Sequence, residues 1–135
     1  MITQRFCDES PWLELAGYSR AVRVGTHIAV SGTTAHGNDG TALAPGDTYA
    51  QAKACLERTI AAAIELGASR DSILRTRMYL APGADPHAAA RAHKELLGDV
   101  APANTTLFVG GLVGEGLMVE VELDAHANSE DSCMP

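Results

Sequence analysis

The sequence predicts an α+β fold in which a mixed sheet carries two helices on one of its faces. Two observations lead to this prediction. One segment repeats apolar residues with the period of a helix, and a second is bounded by residues that start and end helices. The other apolar segments are short and are separated by turn-forming residues. The 135 residues suffice for one domain. We expect a single domain over residues 1–127 and a disordered, polar tail over residues 128–135.

The first strands are expected before the first helix. A short strand is predicted at Thr3 to Phe6. Between Ser19 and Thr34, apolar residues lie on both sides of Gly25-Thr26, which indicates two strands joined by a tight turn. The segment from Thr34 to Asp47 is rich in Gly, Asn, Asp and Pro and is therefore predicted to be a loop.

Both predicted helices have capping residues at their ends. The first runs from about Thr48 to Leu66, with Asp47 or Thr48 at its N-cap and Gly67 after its end. Its apolar face is formed by Ala52, Leu56, Ile60 and Ala63. The second helix runs from about Asp85 to Leu97. It begins with an Asp-Pro pair that suits a helix start and ends at a glycine.

Three more strands complete the predicted sheet. The segment Ile73 to Leu80 alternates, with Leu74, Met78 and Leu80 expected beneath the helices and Arg75, Arg77 and Tyr79 on the other face. The last two strands, from about Asn104 to Val109 and from Leu117 to Ala127, are expected to form an antiparallel hairpin. The sheet face without helices would then be a subunit contact or a ligand cleft. The side chains expected there are Arg75, Arg77, Thr106, Phe108, Glu120 and Glu122.

Composition narrows the classes of function. Ten Lys and Arg residues against 17 Asp and Glu residues give a net charge of −7, which disfavours a nucleic-acid partner. No apolar run approaches the ~18 residues that cross a bilayer, and no leader segment is recognised. We therefore expect no membrane association and a cytoplasmic location. Three widely spaced cysteines, Cys7, Cys55 and Cys133, are expected to be reduced.

Short motifs in a fixed order resemble the RidA (YjgF/YER057c/UK114) family over roughly residues 15–127. Gly17 to Gly25 resembles its Pro-Tyr-Ser-Gln-Ala-Val opening, and Val30-Ser31-Gly32 its next strand end. The other matching positions are Gln51 in the first helix, Leu66 to Ser69 in the turn after it, Pro102-Ala103, and Val119 to Glu122.

The resemblance implies a chorismate-mutase-like fold and a homotrimer whose sheets form a central barrel with three clefts between subunits. It also implies hydrolysis of a small enamine or imine without metal or organic cofactor. In the family an arginine follows the Pro-Ala pair and binds the substrate carboxylate; this chain has Asn104 there. An amide has neither the charge nor the forked geometry of a guanidinium, so an altered substrate preference is expected.

The resemblance assigns Glu120 as the residue that directs the attacking water. The alternative is an ordinary carboxylate paired with Arg75 or Arg77. Asn104 either contacts the ligand or only starts a strand. Arg77 either supplies a guanidinium in place of the family arginine or pairs with Glu120 or Glu122.

Three further residues are candidates for the cleft. Tyr18 matches the family's cleft tyrosine, although a single tyrosine is often structural. Thr106 follows Asn104 on the same strand face, and all of Asn104, Thr106 and Glu120 are expected on one side of the sheet. His93 lies on the second helix, where a surface or packing role is the alternative.

Other functions are less well supported by the sequence. The five histidines are scattered, so no metal site is predicted. The alternative to an imine hydrolase is a trimer that binds a small ligand without catalysis. An endoribonuclease activity, attributed to some family members, is the weakest candidate because the chain lacks a basic stripe.

Overall fold

The computed structural model describes residues 2–129, which form six strands and three helices. In chain order these are β1 (Thr3–Phe6), α1 (Pro11–Ala16), β2 (Ala21–Val24), β3 (His27–Thr34), α2 (Thr48–Glu65), β4 (Ala68–Leu80), α3 (Pro86–Leu97), β5 (Ala103–Phe108) and β6 (Val119–Ala127). Residues 130–135 of the predicted tail lie outside the described residues. The Asn128 amide donates a hydrogen bond to the Gly67 carbonyl, and the Arg23 guanidinium donates one to the Ser129 carbonyl.

The strands form one mixed sheet in the order β1-β2-β3-β6-β4-β5, which confirms the predicted α+β class. All neighbours are antiparallel except β4 and β5. The predicted hairpin between the last two strands is wrong. Because parallel neighbours need a crossover, α3 carries the chain from β4 to β5, and residues 109–118 then return it to the sheet centre.

Helices α2 and α3 cover one face of the sheet. Asp47 caps α2 by accepting a hydrogen bond from the Ala50 amide, and Asp85 caps α3 in the same way. The predicted apolar stripe of α2 is buried at Ala52, Leu56 and Ala63, while Ile60 packs at the edge of the core. The six-residue helix α1 was missed because it is too short to show a helical period.

Irregular pairing in β4 changes which of its side chains are buried. Ile73 lies in the core, whereas Leu74 is 54% exposed, so the prediction for Leu74 is wrong. The register against β6 shifts between Ile73 and Arg75, and this shift reverses the alternation. After it, Thr76, Met78 and Leu80 lie beneath the helices. Arg75, Arg77 and Tyr79 lie on the opposite side, here called the open face.

Strand β5 is an edge strand whose six residues are all exposed. Its register with β4 places Asn104, Thr106 and Phe108 on the helix-covered side, beside Thr76, Met78 and Leu80. The prediction that Thr106 and Phe108 face the open side is therefore wrong. The side of the sheet on which a strand places each side chain depends on its register with the neighbouring strand. The neighbour of β5 is β4, not β6.

Gln51 joins two loops beneath α2. Its fully buried side chain donates to the carbonyls of Leu43, Ala44 and Gly116, and its oxygen accepts a hydrogen bond from the Met118 amide at 2.7 Å. This clamp fixes the chain immediately before β6. Within residues 2–129, no helix is long and apolar enough to cross a membrane.

Candidate functional site

Glu120 extends over Gly32 on the open face. It lies on β6 opposite Thr34 of β3, and its side chain leans back along β3. A Cβ atom at Gly32 would lie 2.3 Å from the Glu120 Oε2 atom, closer than any ordinary contact. The missing side chain of Gly32 therefore creates the space that the carboxylate occupies.

The environment of Glu120 raises the pKa of its carboxyl group. Burial raises the pKa of Glu120 above its ordinary value of 4.5, and the negative charge of Glu122 raises it further, while Arg20 acts in the opposite direction. Within residues 2–129, the Glu120 carboxylate forms no hydrogen bond or ion pair. Glu120 is therefore not paired with Arg75 or Arg77 in the single chain. A partly buried carboxylate without a partner has a raised proton affinity.

The segment that carries Tyr18 is attached beside Gly32. The Ser31 hydroxyl donates to the Ser19 carbonyl at 2.7 Å, and the buried Arg20 guanidinium donates to the Gly32 carbonyl at 2.8 Å. Arg20 also pairs with Asp8. Tyr18 as a whole residue is 39% exposed. The residue thus lies next to the strand that supports Glu120 and is partly accessible.

A second group of candidate residues is linked by hydrogen bonds at the edge of the sheet. Asn104 Nδ2 donates to Thr76 Oγ1 at 3.0 Å, and Thr106 Oγ1 donates to Asn104 Oδ1 at 2.9 Å. Thr76 Oγ1 also lies 2.7 Å from His93 Nε2 on α3. Burial lowers the pKa of His93, which favours its neutral form. Asn104, Thr106 and His93 are thus connected through Thr76.

Arg77 lies on the open face and contacts carboxylates there. Its Nη1 atom is 3.2 Å from Asp124 and 3.6 Å from Glu122. The Tyr79 hydroxyl donates to Glu122 as well, and this hydrogen bond raises the pKa of Tyr79. In one chain Arg77 therefore lies on the opposite face of the sheet from the Asn104 side chain. It pairs with Glu122, as one of the two possibilities for this residue predicted.

The two groups do not meet within one chain. Glu120 lies on the open face of β6, whereas Asn104 and Thr106 lie on the helix-covered side of β5, two strands away. Strands are spaced by ~4.8 Å, so the two groups are separated by about two such spacings and by the sheet itself. The prediction that Asn104, Thr106 and Glu120 share one side of the sheet is wrong for a single chain.

Two cavities adjoin the strand opposite Glu120. One, of about 560 Å³, lies between α1, the loop after β3 and the loop before β6; the other, of about 600 Å³, lies between the β1–α1 loop and α2. Thr34 and His36 line both, and their side chains are 2.9 Å apart. Burial lowers the pKa of His36, and so do Arg58 and Arg20, while Asp8 acts in the opposite direction.

Within residues 2–129, neither cysteine is in a reactive arrangement and no metal-binding cluster is formed. Cys55 is buried, and burial raises the pKa of its thiol to about 12, so it is not a nucleophile near neutral pH. Cys7 is exposed and not in a disulfide. In the part of the chain that the structure describes, no group of three or more His, Cys, Asp or Glu residues could hold a metal ion.

Gly32 and Thr76 shape these two groups, although the sequence singled out neither for a role in the site. In the sequence Gly32 is only the last residue of the Val-Ser-Gly motif, and the space above it depends on Glu120, a cross-strand neighbour far along the chain. Thr76 carried a signal, since it is the one hydroxyl among the buried residues Ile73, Met78 and Leu80. A polar residue in an apolar stripe usually has a hydrogen-bond partner.

A six-stranded mixed sheet under two helices, with an uncovered face and an exposed parallel edge strand, is the architecture of the YjgF/YER057c/UK114 proteins. The chain belongs to this family, since the family model described as endoribonuclease L-PSP matches residues 10–127.

Individual relatives share nearly the whole chain. An uncharacterized protein of Streptomyces coelicolor is 40% identical over 123 residues, which is 91% of both chains. The crystal structure of Rv2704, a YjgF/YER057c/UK114 family member of Mycobacterium tuberculosis, superposes with a TM-score of 0.82 at 30% identity. The match covers 93% of this chain and all of that one. A Pseudomonas aeruginosa protein of unknown function, PA3499, gives a TM-score of 0.79 at 29% identity over 99% of both chains.

Proposed function

We propose that this protein hydrolyses a small imine or enamine, without a cofactor, in clefts formed between the subunits of a cytoplasmic homotrimer. The observation that carries the proposal is the Glu120 carboxylate, which lies over Gly32 with a raised pKa and no partner among residues 2–129. A carboxylate in this state is suited to accept a proton from water.

The reaction follows from that proton affinity. The reacting form is the protonated imine. A water oxygen attacks its carbon while one water proton passes to Glu120, and the C=N double bond becomes the C–N single bond of a neutral carbinolamine. Glu120 then returns that proton to the amine nitrogen. The C–N bond breaks as the carbonyl forms, the hydroxyl proton passes back to Glu120, and the departing ammonia takes up this proton and leaves as ammonium. An enamine enters the same route after tautomerising to the imine. No electron acceptor is required, because hydrolysis is redox-neutral.

The position of the second group supports a cleft between subunits. Asn104 and Thr106 belong to an edge strand that has no neighbour on its outer side within residues 2–129, and this strand also exposes Leu107 and Phe108. An exposed, partly apolar edge is an unfavourable end for a sheet unless another chain covers it. A second copy that packs against this edge would bring its own Glu120 towards Asn104, as the family resemblance implies.

The test generates imines in solution and measures how fast they are hydrolysed. An amino-acid oxidase or serine dehydratase supplies the imine, and semicarbazide competes for it. Wild type should accelerate keto-acid release over the protein-free control, and Glu120→Gln should lose at least about 100-fold of that rate, the usual contribution of a general base. Glu57→Gln makes the same change at an exposed position of α2 and should retain full activity. Equal rates with and without protein across many amino acids would exclude the hydrolase.

A ligand-binding trimer without catalysis is the second candidate, favoured by Asn104 in the place of the family arginine. A thermal-shift screen with small carboxylates and carbonyl compounds distinguishes the two. Saturable stabilisation by a ligand, together with no acceleration of imine hydrolysis, would identify a binding protein.

A further inference from the structure

The hydrogen bonds around Asn104 determine which groups it presents at the surface. Both amide hydrogens lie on Nδ2, which donates to Thr76 Oγ1 and lies 3.5 Å from the Thr76 carbonyl oxygen. The nearby carbonyl favours this orientation, because the flipped amide would place Oδ1 against another acceptor. The donor side of Asn104 is therefore turned towards Thr76 of β4, and Oδ1 is turned away from Thr76 towards Thr106, two residues along β5.

Thr106 reinforces this polarity. Its hydroxyl hydrogen is used in the bond to Asn104 Oδ1, so the lone pairs of Oγ1 remain for a ligand. Oδ1 keeps one lone pair as well. Both residues are exposed, and their side chains together present acceptors without a side-chain donor.

His93, on helix α3, determines in which direction the Thr76 hydroxyl donates its hydrogen bond. Thr76 Oγ1 accepts from Asn104, so its own hydrogen is available to the His93 Nε2 lone pair 2.7 Å away. That arrangement needs neutral His93 with its proton on Nδ1. Burial is the only cause that lowers the pKa of His93, and its neighbours one turn away on α3, Ala89, Ala90, Leu96 and Leu97, bring no cation towards the site.

We propose that Asn104 and Thr106 form a subsite for a neutral hydrogen-bond donor of the ligand, such as a carboxamide, and exclude a carboxylate. The proposal rests on the proposed function in placing this edge in the ligand cleft. A carboxylate is acceptor-only, so it would face two acceptors and lose its hydration without compensation. A carboxamide N–H would instead donate to Asn104 Oδ1 or Thr106 Oγ1. His93 acts as a positioning residue through Thr76.

Three matched ligands separate charge from hydrogen-bond polarity. Pyruvate is an anionic acceptor, methyl pyruvate a neutral acceptor and pyruvamide a neutral donor, and calorimetry gives the Kd of each. With wild type, pyruvamide should bind roughly tenfold more tightly than either of the others, the effect of one hydrogen bond. Pyruvate or methyl pyruvate binding as tightly as pyruvamide would overturn the proposal, and so would failure of all three to bind a protein that hydrolyses imines.

Variants of β5 residues test whether Asn104 causes the preference for pyruvamide. Asn104→Leu should abolish the advantage of pyruvamide, and Asn104→Arg should reverse it in favour of pyruvate. Thr105→Val is the matched control, because Thr105 lies on the same strand but pairs with Arg77 and faces the opposite side; it should keep the wild-type preference. An unchanged preference in Asn104→Leu would place the subsite elsewhere.

Nuclear magnetic resonance tests the orientation itself. Long-range ¹H–¹⁵N spectra at neutral pH should show His93 with a protonated Nδ1 and an unprotonated Nε2; a proton on Nε2 would contradict the proposal. The binding and hydrolysis results fail independently. A preference for pyruvamide without any imine hydrolysis would exclude the proposed hydrolase activity but support the subsite. Imine hydrolysis with a preference for pyruvate would support the hydrolase activity but exclude the subsite.

Discussion

Replacing Gly32 with alanine would test whether the position of Glu120 matters for catalysis. The new Cβ would lie 2.3 Å from Oε2, 3.2 Å from Cδ and 3.5 Å from Cγ of Glu120, whereas ordinary contact begins at 3.4 Å. The carboxylate must therefore move by about 1 Å or more, and displacement of a catalytic group by this distance costs about 100-fold in rate. We expect kcat/KM for imine hydrolysis to fall by roughly that factor.

The stability of this variant should change little. Only the end of a flexible side chain is displaced, and a shift of its rotamer costs about 0.5–1.5 kcal/mol. Alanine in a strand recovers about 0.5–1 kcal/mol of backbone entropy relative to glycine. Gly32 has no positive φ that alanine would strain. Urea unfolding should therefore give a free energy of unfolding within about 1 kcal/mol of wild type.

Two further measurements make the test decisive. Gly111→Ala adds the same methyl group where no atom lies within 4 Å, so activity should be unchanged. Carboxyl ¹³C titration should show that the pKa of Glu120 falls in Gly32→Ala, because a displaced carboxylate is better hydrated. Full activity in Gly32→Ala, with a lowered pKa of Glu120, would show that hydrolysis does not depend on this position.

Four other changes have defined outcomes. Glu120→Gln should unfold at higher urea concentration than wild type at neutral pH, because a folded-state pKa above 4.5 means that ionisation of Glu120 opposes folding; the difference should disappear below pH 4.5, where both states are protonated. Glu122→Gln should move the acidic limb of the pH–rate profile to lower pH, since Glu122 raises the pKa of Glu120; an unmoved limb would exclude Glu120 as the titrating group. Gln51→Leu should lower the free energy of unfolding by about 2–4 kcal/mol, since it leaves the Met118 amide and several carbonyls without partners, and a loss below ~1 kcal/mol in urea would contradict the clamp. Arg77→Ala should leave imine hydrolysis unchanged and cost at most about 1 kcal/mol in urea, because its ion pairs are partly exposed; a large loss of turnover would restore it as a ligand group.

Local patterns in the sequence were sufficient for the fold class and for every element except the short helix α1. The caps at Asp47 and Asp85, and the apolar stripe of α2, depend only on residues a few positions apart. Glu120 was placed on the open face correctly because β6 alternates without interruption on either side of it. Each of these features depends on the backbone geometry of a single helix or strand.

Pairing between distant segments was not predictable in the same way. The facing of Asn104 and Thr106 follows from the parallel register of β5 with β4, and alternation alone does not fix which neighbour a strand chooses. The irregularity near Leu74 has no residue-level signature such as glycine or proline. The connection from Asn104 to His93 required Thr76, whose partners lie on two other elements.

The central position of β6 has a consequence for how the protein is made. Strands β1, β2 and β3 form one ladder and β4 with β5 another, and β6 is the strand that pairs with both. Synthesis proceeds from the N-terminus, so the two ladders remain unjoined until residues 119–127 have left the ribosome. Until then β3 and β4 each have an unpaired edge, which is the condition under which nascent chains associate wrongly. Strand β6, which positions Glu120, thus also pairs with both of these edges and ends the period in which they are unpaired.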